Sequence, residues 1–209
     1  MEVKENIAEE FNEFSKNYTE DMIKCVPHYT DLIQEFTRNL PQDFISEKIL
    51  DLGCGNGNTT NTLIKQFPKA QFTLVDASKD MLMLCEQRFS NYKVKYEHSY
   101  FNDFTFKDNA YNLITAGFSL HHCSEKEKQN LYKKIFHSLK SEGAFSCSDL
   151  MIDKSHNEHK QHLKHWKNYV LSNYPNEEKW NWIIDHYNKF DFPESISNHL
   201  KWLKEAGFE

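Results

Sequence analysis

The stretch Ile49-Leu50-Asp51-Leu52-Gly53-Cys54-Gly55-Asn56-Gly57-Asn58-Thr59-Thr60 sets three glycines directly after an apolar run and directly before a helix-like one. Glycine lets the backbone turn sharply and approach a ligand with no Cβ in between, and the helix start that follows presents unpaired N–H groups. About twenty residues on, Asp76 closes a second apolar run, Phe72-Thr73-Leu74-Val75. A carboxylate at that point accepts hydrogens from both hydroxyls of a ribose. Turn and carboxylate together define a ribonucleoside pocket. Two phosphate readings fail on particular residues. A dinucleotide turn needs glycine at position 58, which is Asn58, and a Walker loop needs Gly-Lys-Ser/Thr where Asn56 to Thr60 stand. A turn with no ligand is the plainer alternative, but three glycines after an acidic strand end exceed what turning requires.

Other groups bear on chemistry beside that pocket. His121 and His122 follow the fourth apolar run and are the residues best placed to act as a catalytic base. They read equally as a hydrogen-bonded pocket wall. His156, His159, His162 and His165 recur every third residue, so on a helix they wind gradually around the axis. With no cysteine or carboxylate set at ligand spacing, no metal site is expected there. Trp166, Tyr169, Tyr174, Trp180 and Trp182 read as core before cage; lining a pocket, they would favour a planar or cationic acceptor.

These residues need elements to position them. Short apolar runs at 48–52, 72–75, 93–97, 113–116 and 143–147 alternate with helical patterns at 59–67, 79–89 and 125–139. Strands joined by crossover helices form a parallel sheet covered on both faces, so the expected class is α/β, a Rossmann-like, mostly parallel sheet of five strands. Ahead of it, 5–16 and 20–38 read as helices, with Pro27 kinking or dividing the second. Behind it, 156–172 and 176–189 are longer than a crossover requires and read as a helical cap over the carboxyl ends of the strands. A last helix at 195–206 ends at Gly207.

At 209 residues the chain is long enough for one core without staples. Its net charge of −6 disfavours a bulk DNA binder, since that needs a strongly basic face. Five scattered cysteines without a C-x-x-C pair fit a reducing cytoplasm. No apolar stretch approaches spanning length, so no membrane partner is expected.

Asp-Leu-Gly-Cys-Gly-Asn-Gly at 51–57, followed by Leu-Val-Asp-Ala-Ser at 74–78, resembles the class I S-adenosylmethionine-dependent methyltransferases over roughly residues 45–150. The resemblance implies S-adenosyl-L-methionine as cofactor. It implies that Asp51, Gly53, Cys54, Gly55 and Gly57 line its methionine part, that Asp76 holds the ribose, and that Ala77 and Met81 flank the adenine. Gly117 and Phe118 would border the sulfonium. Tyr100 stands where such enzymes often carry an aspartate near the adenine amine, so stacking and backbone contacts around Tyr100 and Phe101 would hold the base. One domain, 1–209, is expected: an N-terminal helical lid at 1–44, a cofactor-binding core at 45–150, a helical cap insertion at 151–192 and a last helix at 193–209. The family's sheet adds two strands after that helix, and a sequence stopping at Glu209 carries five.

A narrower resemblance lies in 21–29 and in 195–209, which are similar to the carboxy-S-adenosylmethionine synthases of tRNA wobble-uridine modification. It implies that Tyr29 contacts the cofactor. That family clamps an extra carboxylate with an arginine after strand five, whereas this chain has only Arg38 and Arg88. The sequence therefore favours ordinary methyl transfer to a small molecule or an RNA nucleoside. Carboxy-cofactor synthesis and a catalytically silent cofactor-binding module stand as alternatives, and a homodimer is allowed.

Overall fold

A computed structural model describes residues 17–209; the helix expected at 5–16 lies outside them. Five strands form one parallel sheet: β1 (Lys48–Leu52), β2 (Gln71–Asp76), β3 (Val94–His98), β4 (Tyr111–Gly117) and β5 (Leu139–Ser148), in the order β3-β2-β1-β4-β5. The α/β class and the five parallel strands are as expected. The chain builds outward from β1 to β3, returns, and builds the other way through β4 and β5. The reversal between β1 and β4 is the switch point at which such sheets open a crevice at their carboxyl ends.

Alternation along β1 sorts its side chains between two cores. Leu50 and Leu52 join Val75, Ile114 and Ala116 against one layer, where α5 (Glu125–Ser138) and α8 (Ile196–Ala206) supply Leu131, Ile135 and Trp202. Ile49 joins Leu74 and Leu113 against the other, where α3 (Asn58–Gln66) and α4 (Lys79–Arg88) supply Leu63, Leu82 and Cys85. Asp51 shares the Ile49 face and is fully buried; its carboxylate accepts from Thr60 Oγ1 at 2.6 Å and Thr115 Oγ1 at 2.9 Å. Burial pushes this carboxyl up to about 6, against the pull of those two hydroxyls.

One boundary follows the sequence reading and one departs from it. The helix expected at 20–38 is divided into α1 (Tyr18–Cys25) and α2 (Tyr29–Arg38), with His28 in the left-handed region between them at φ 58°. Proline at 27 cannot donate the amide that would continue the first helix. Strand β5 begins at Leu139, directly where α5 ends, instead of at 143. Leu139 pairs with Tyr111, the register then shifts, and Glu142 at φ 59° takes up the extra length as a bulge.

The helices after the sheet, α6 (His159–Asn173) and α7 (Glu178–Phe190), pack on α1 around Cys25, Val170, Trp180 and Ile183. Their polar tips bind α1 as well: Trp166 Nε1 donates to Cys25 O at 2.7 Å, Tyr169 Oη to Ile23 O at 2.8 Å, and Tyr174 Oη to Asp21 at 2.5 Å. At the far end of α7, Lys128 of α5 is buried and donates to Cys123 O at 2.5 Å and to Phe192 O. It joins the segment after β4 to the segment entering α8. Among the described residues, no helix is long and apolar enough to cross a membrane.

Lys128→Ala strands two carbonyls that this ammonium satisfies, so the unfolding free energy should fall by about 2–4 kcal/mol in urea titration; an unchanged midpoint would show that water replaces the clamp. Asp51 predicts a pH dependence of opposite sign to the usual carboxylate. Because its folded value lies above its unfolded one, the unfolded chain ionises first and stability is lost as pH rises from about 4 to 6. Asp51→Asn should remove that loss, worth up to about 3 kcal/mol. Parallel stability–pH curves for the two proteins would contradict it.

Candidate active site

The turn after β1 is built for backbone contact. Gly53 N–H and Cys54 N–H both donate to Val75 O, at 2.8 and 3.1 Å, which folds the turn back on the end of β2. Gly53 has φ 68° and Gly57 φ 84°. A Cβ at Gly53 would lie 2.3 Å from the Ser119 Cβ, and one at Gly57 would lie 2.4 Å from the Phe89 ring. Both positions therefore require glycine twice over, for the left-handed backbone and for the space. Asp76 faces this turn. Its Oδ2 accepts from Gly55 N–H and its Oδ1 from Ser78 N–H, each at 2.8 Å. Burial raises its carboxyl, with those amides working to lower it. Each oxygen keeps a further lone pair.

Of the residues singled out in the sequence, Gly53, Gly55, Asp76, Ala77, Met81, Tyr100, Phe101, Phe118 and His122 line one cleft over the carboxyl ends of β1 and β2. Its two sides are chemically different. Asp76 and the glycine backbone are polar, whereas Met81, Tyr100 and Phe101 offer apolar and aromatic surface to a flat base.

The other residues singled out support the cleft from behind. Asp51 ties β1 to α3 and β4 through the two threonines. Cys54 is buried, with its thiol driven up by burial and by neighbouring Cys85. Gly57 stands at the start of α3. Gly117 lies under Thr59 and Phe36. Tyr29 is buried, accepts from Asn58 Nδ2 at 2.9 Å and packs its ring on Phe118 at 5.3 Å, so it fixes a lining residue from outside.

Residues the sequence reading did not single out complete the lining. Ser119 closes the wall beside Gly53, and its Oγ donates to Leu52 O at 3.0 Å. Glu127 is legible as the third residue of a capping box with Ser124, a pattern that gives no hint of a cleft. Tyr18, at the start of α1, lies over Gly55, where an added Cβ would meet its ring at 3.6 Å. Burial drives its hydroxyl far above the ordinary tyrosine range, with Tyr29 and Asp76 adding to the effect. No local signal marks Tyr18, because only the packing of α1 brings it there.

A second cavity of about 350 Å³ adjoins the cleft, and Tyr18, Phe118 and His122 line both. Met22, Val26 and Leu32 from α1 and α2, and Leu163, Trp166, Trp182 and Ile183 from α6 and α7, make it largely apolar. One wall is polar. His121 Nδ1 is bonded to Asp149 Oδ1, while Asp149 Oδ2 accepts from Leu120 N–H at 2.6 Å and His121 N–H at 3.1 Å. Asp191 stands across from both histidines, 3.2 Å from His122 Nδ1 and 3.9 Å from His121 Nε2. Burial alone would lower His121, but Asp149 and Asp191 outweigh it and hold this imidazole above its ordinary value. Burial, with His121 adding, pushes His122 down to about 4. The four-histidine run does not converge: His162 lines the cavity, His159 Nε2 meets Tyr187 Oη at 2.9 Å, and His156 and His165 are exposed.

The comparisons with known proteins agree with this architecture. Residues 49–143 match the family model described as a methyltransferase domain. An uncharacterised methyltransferase of Staphylococcus carnosus is 25% identical over 204 residues, covering 96% of this chain and 89% of its own length. A carboxy-S-adenosyl-L-methionine synthase of Nautilia profundicola is 23% identical over 203 residues, covering 96% and 86%. Among solved structures, the complex between the Haloferax volcanii Trm112 methyltransferase activator and a methyltransferase superposes with a TM-score of 0.69 at 15% identity, over 95% of this chain and 76% of the other. With the glycine turn, the facing carboxylate and the five-stranded parallel sheet, these similarities support the class I S-adenosylmethionine-dependent methyltransferase superfamily, with the methyltransferase-domain match confined to residues 49–143.

Proposed function

We propose that the cleft binds S-adenosyl-L-methionine and that the adjoining cavity receives a small, largely apolar methyl acceptor. One observation carries this reading: Tyr18, Phe118 and His122 belong to both spaces, so the two ligands would meet at that opening. Asp76 would hold the ribose hydroxyls, with the base between Met81 and the Tyr100–Phe101 side. The methionine part would run along Gly53 and Gly55 toward the opening.

The sulfonium is already a strong electrophile, so transfer needs alignment more than chemistry from side chains. A lone pair of the acceptor forms the new bond to the methyl carbon as the carbon–sulfur bond breaks. Sulfur keeps that electron pair and leaves as a neutral thioether. Apolar walls on α1, α2, α6 and α7 exclude water from the path. His121 and His122 supply the polar wall against which the nucleophilic group is held, with Asp149 fixing the ring of His121.

The arginines favour methyl transfer over synthesis of a carboxylated cofactor. Arg38 pairs with Glu35 on the exposed side of α2. Arg88 Nη1 donates to Asn56 O at 3.1 Å and Asn58 Oδ1 at 3.0 Å on the outside of the turn. Neither lines the cleft or the cavity, so a bidentate clamp for an added carboxylate is missing among the lining residues.

Calorimetry with S-adenosylmethionine and its demethylated product should show binding of both, weakened about ten- to hundredfold in Asp76→Ala by loss of charged hydrogen bonds to the ribose. No binding by the parent protein would remove the whole reading. Binding without turnover across a panel of phenols, carboxylic acids and amines would favour a silent module. A carboxylated cofactor retained from cells, seen by mass spectrometry, would overturn the argument from arginine.

A further inference from the structure

We propose that His121, His122, His186 and Asp191 bind one divalent transition-metal ion, of which Zn²⁺ is the type, in the polar wall of the acceptor cavity. Donor atoms of His121, His122 and Asp191 all lie within 4.8 Å of one another. Asp191 Oδ1 is the hub, at 3.2 Å from His122 Nδ1, 3.6 Å from His186 Nε2 and 3.9 Å from His121 Nε2. Bonds of about 2.0–2.2 Å at tetrahedral angles set neighbouring donors about 3.3–3.6 Å apart. The Asp191–His122 and Asp191–His186 spacings are close to such an edge, and the Asp191–His121 spacing is longer, so binding an ion would draw His121 inward.

A second observation points to a ligand. Asp191 is only 6% exposed, and its Oδ1 meets no donor in good hydrogen-bond geometry, its neighbours being the ion-pair contacts to the imidazoles. Buried carboxylate oxygens are normally satisfied, because desolvating a charge without compensation is costly. Here the oxygen is aimed among three imidazoles. The nearby lysines do not serve it: Lys128 donates to Cys123 O and Phe192 O, and Lys154 to Asp191 O, all backbone carbonyls.

The surroundings have the form of an outer coordination shell. Asp149 binds His121 at Nδ1, which leaves Nε2 as the atom turned toward Asp191. Asp149 is itself fixed by the N–H groups of Leu120, His121 and Leu150. A carboxylate on the far nitrogen is the arrangement that fixes the ring and strengthens the donor of a metal-bound imidazole. Two carboxylates balance a charge of two. Imidazole donors with one carboxylate suit Zn²⁺, Fe²⁺ or Ni²⁺ better than Mg²⁺ or Ca²⁺.

The cluster opens into the cavity, since His121, His122, His186 and Asp191 all line it. Expansion to five-coordinate on the cavity side would admit an oxygen of the acceptor and lower the pKa of its hydroxyl. This last step rests on the methyl-transfer reading; the metal site does not. It narrows the acceptor to an apolar molecule carrying a phenolic, enolic or carboxylate oxygen.

Protein stripped with a chelator and titrated with Zn²⁺ should bind one equivalent per chain, and Co²⁺ in its place should give a visible d–d band. Asp191→Asn and His186→Gln should each weaken Zn²⁺ binding about tenfold or more, and Asp149→Asn by about tenfold, the size of outer-shell effects. His156→Gln, on the exposed part of the histidine run, should leave it unchanged. If Asp191→Asn does not fold, His186→Gln decides. Absence of stoichiometric binding, or binding that survives both Asp191→Asn and His186→Gln, overturns the proposal. S-adenosylmethionine binding by the metal-free protein, read separately by calorimetry, should be intact in every one of these variants, so loss of the metal site and loss of the cofactor reading give different results.

Discussion

The bond from Gly55 N–H to the Asp76 carboxylate holds the whole site in register. It ties a turn that leaves β1 to the last residue of β2, and the neighbouring bonds from Gly53 and Cys54 to Val75 O close the same gap. The consequence is a cleft floor made of backbone, with a half-buried carboxylate fixed beside it. That charge also decides what the floor accepts. A phosphate set against Asp76 would meet like charge with little water to screen it, while a sugar hydroxyl donates to the same oxygen. The carboxylate favours a ribose, and the case against phosphates rests on the turn, where Asn58 replaces the glycine of a dinucleotide loop.

The parts of this architecture that local chemistry dictates are legible in the sequence. β1 reads as a strand because Ile49, Leu50 and Leu52 are buried on both faces of a central position, and the glycines read as a turn because nothing else fits there. The start of β5 does not read, because Leu139 joins the sheet through a shifted register that depends on Tyr111, far back in the chain. The site divides in the same way. Asp76, Ala77 and Met81 lie within six positions of one another and follow from a motif. Tyr18, His186 and Asp191 reach the ligand spaces only through packing between elements distant in the chain, and no spacing rule encodes that.

The long-range contacts that build the second cavity are polar bonds at the tips of aromatic side chains. Trp166, Tyr169 and Tyr174 present apolar bodies to the Cys25–Trp180 cluster and spend their single polar atoms on α1. The cavity wall and Tyr18 are thereby fixed to one another, since α1 carries the tyrosine and also receives these bonds. At the opposite end, Phe192 N–H donates to His121 O at 2.7 Å, so the segment that presents Asp191 is anchored beside the histidines it faces. Trp166, Tyr169 and Phe192 use backbone carbonyls, which any sequence provides, whereas Tyr174 donates to the Asp21 carboxylate.

This separation explains why cofactor and acceptor differ so much in how far a sequence determines them. The cofactor floor depends on φ angles and close approaches that admit glycine alone, and such constraints leave the same signature in any chain that meets them. The acceptor cavity depends on side-chain volume and on where a few buried ionisable groups converge. Leu163 or Ile183 can change shape at small cost while the fold persists, but within the cluster of Asp149, His121, His122, His186 and Asp191, removing the charge of Asp149 or Asp191 takes a counter-charge away from the buried His121 imidazole. On the methyl-transfer reading proposed above, those five residues would set the chemistry of the acceptor and the apolar walls its size and outline.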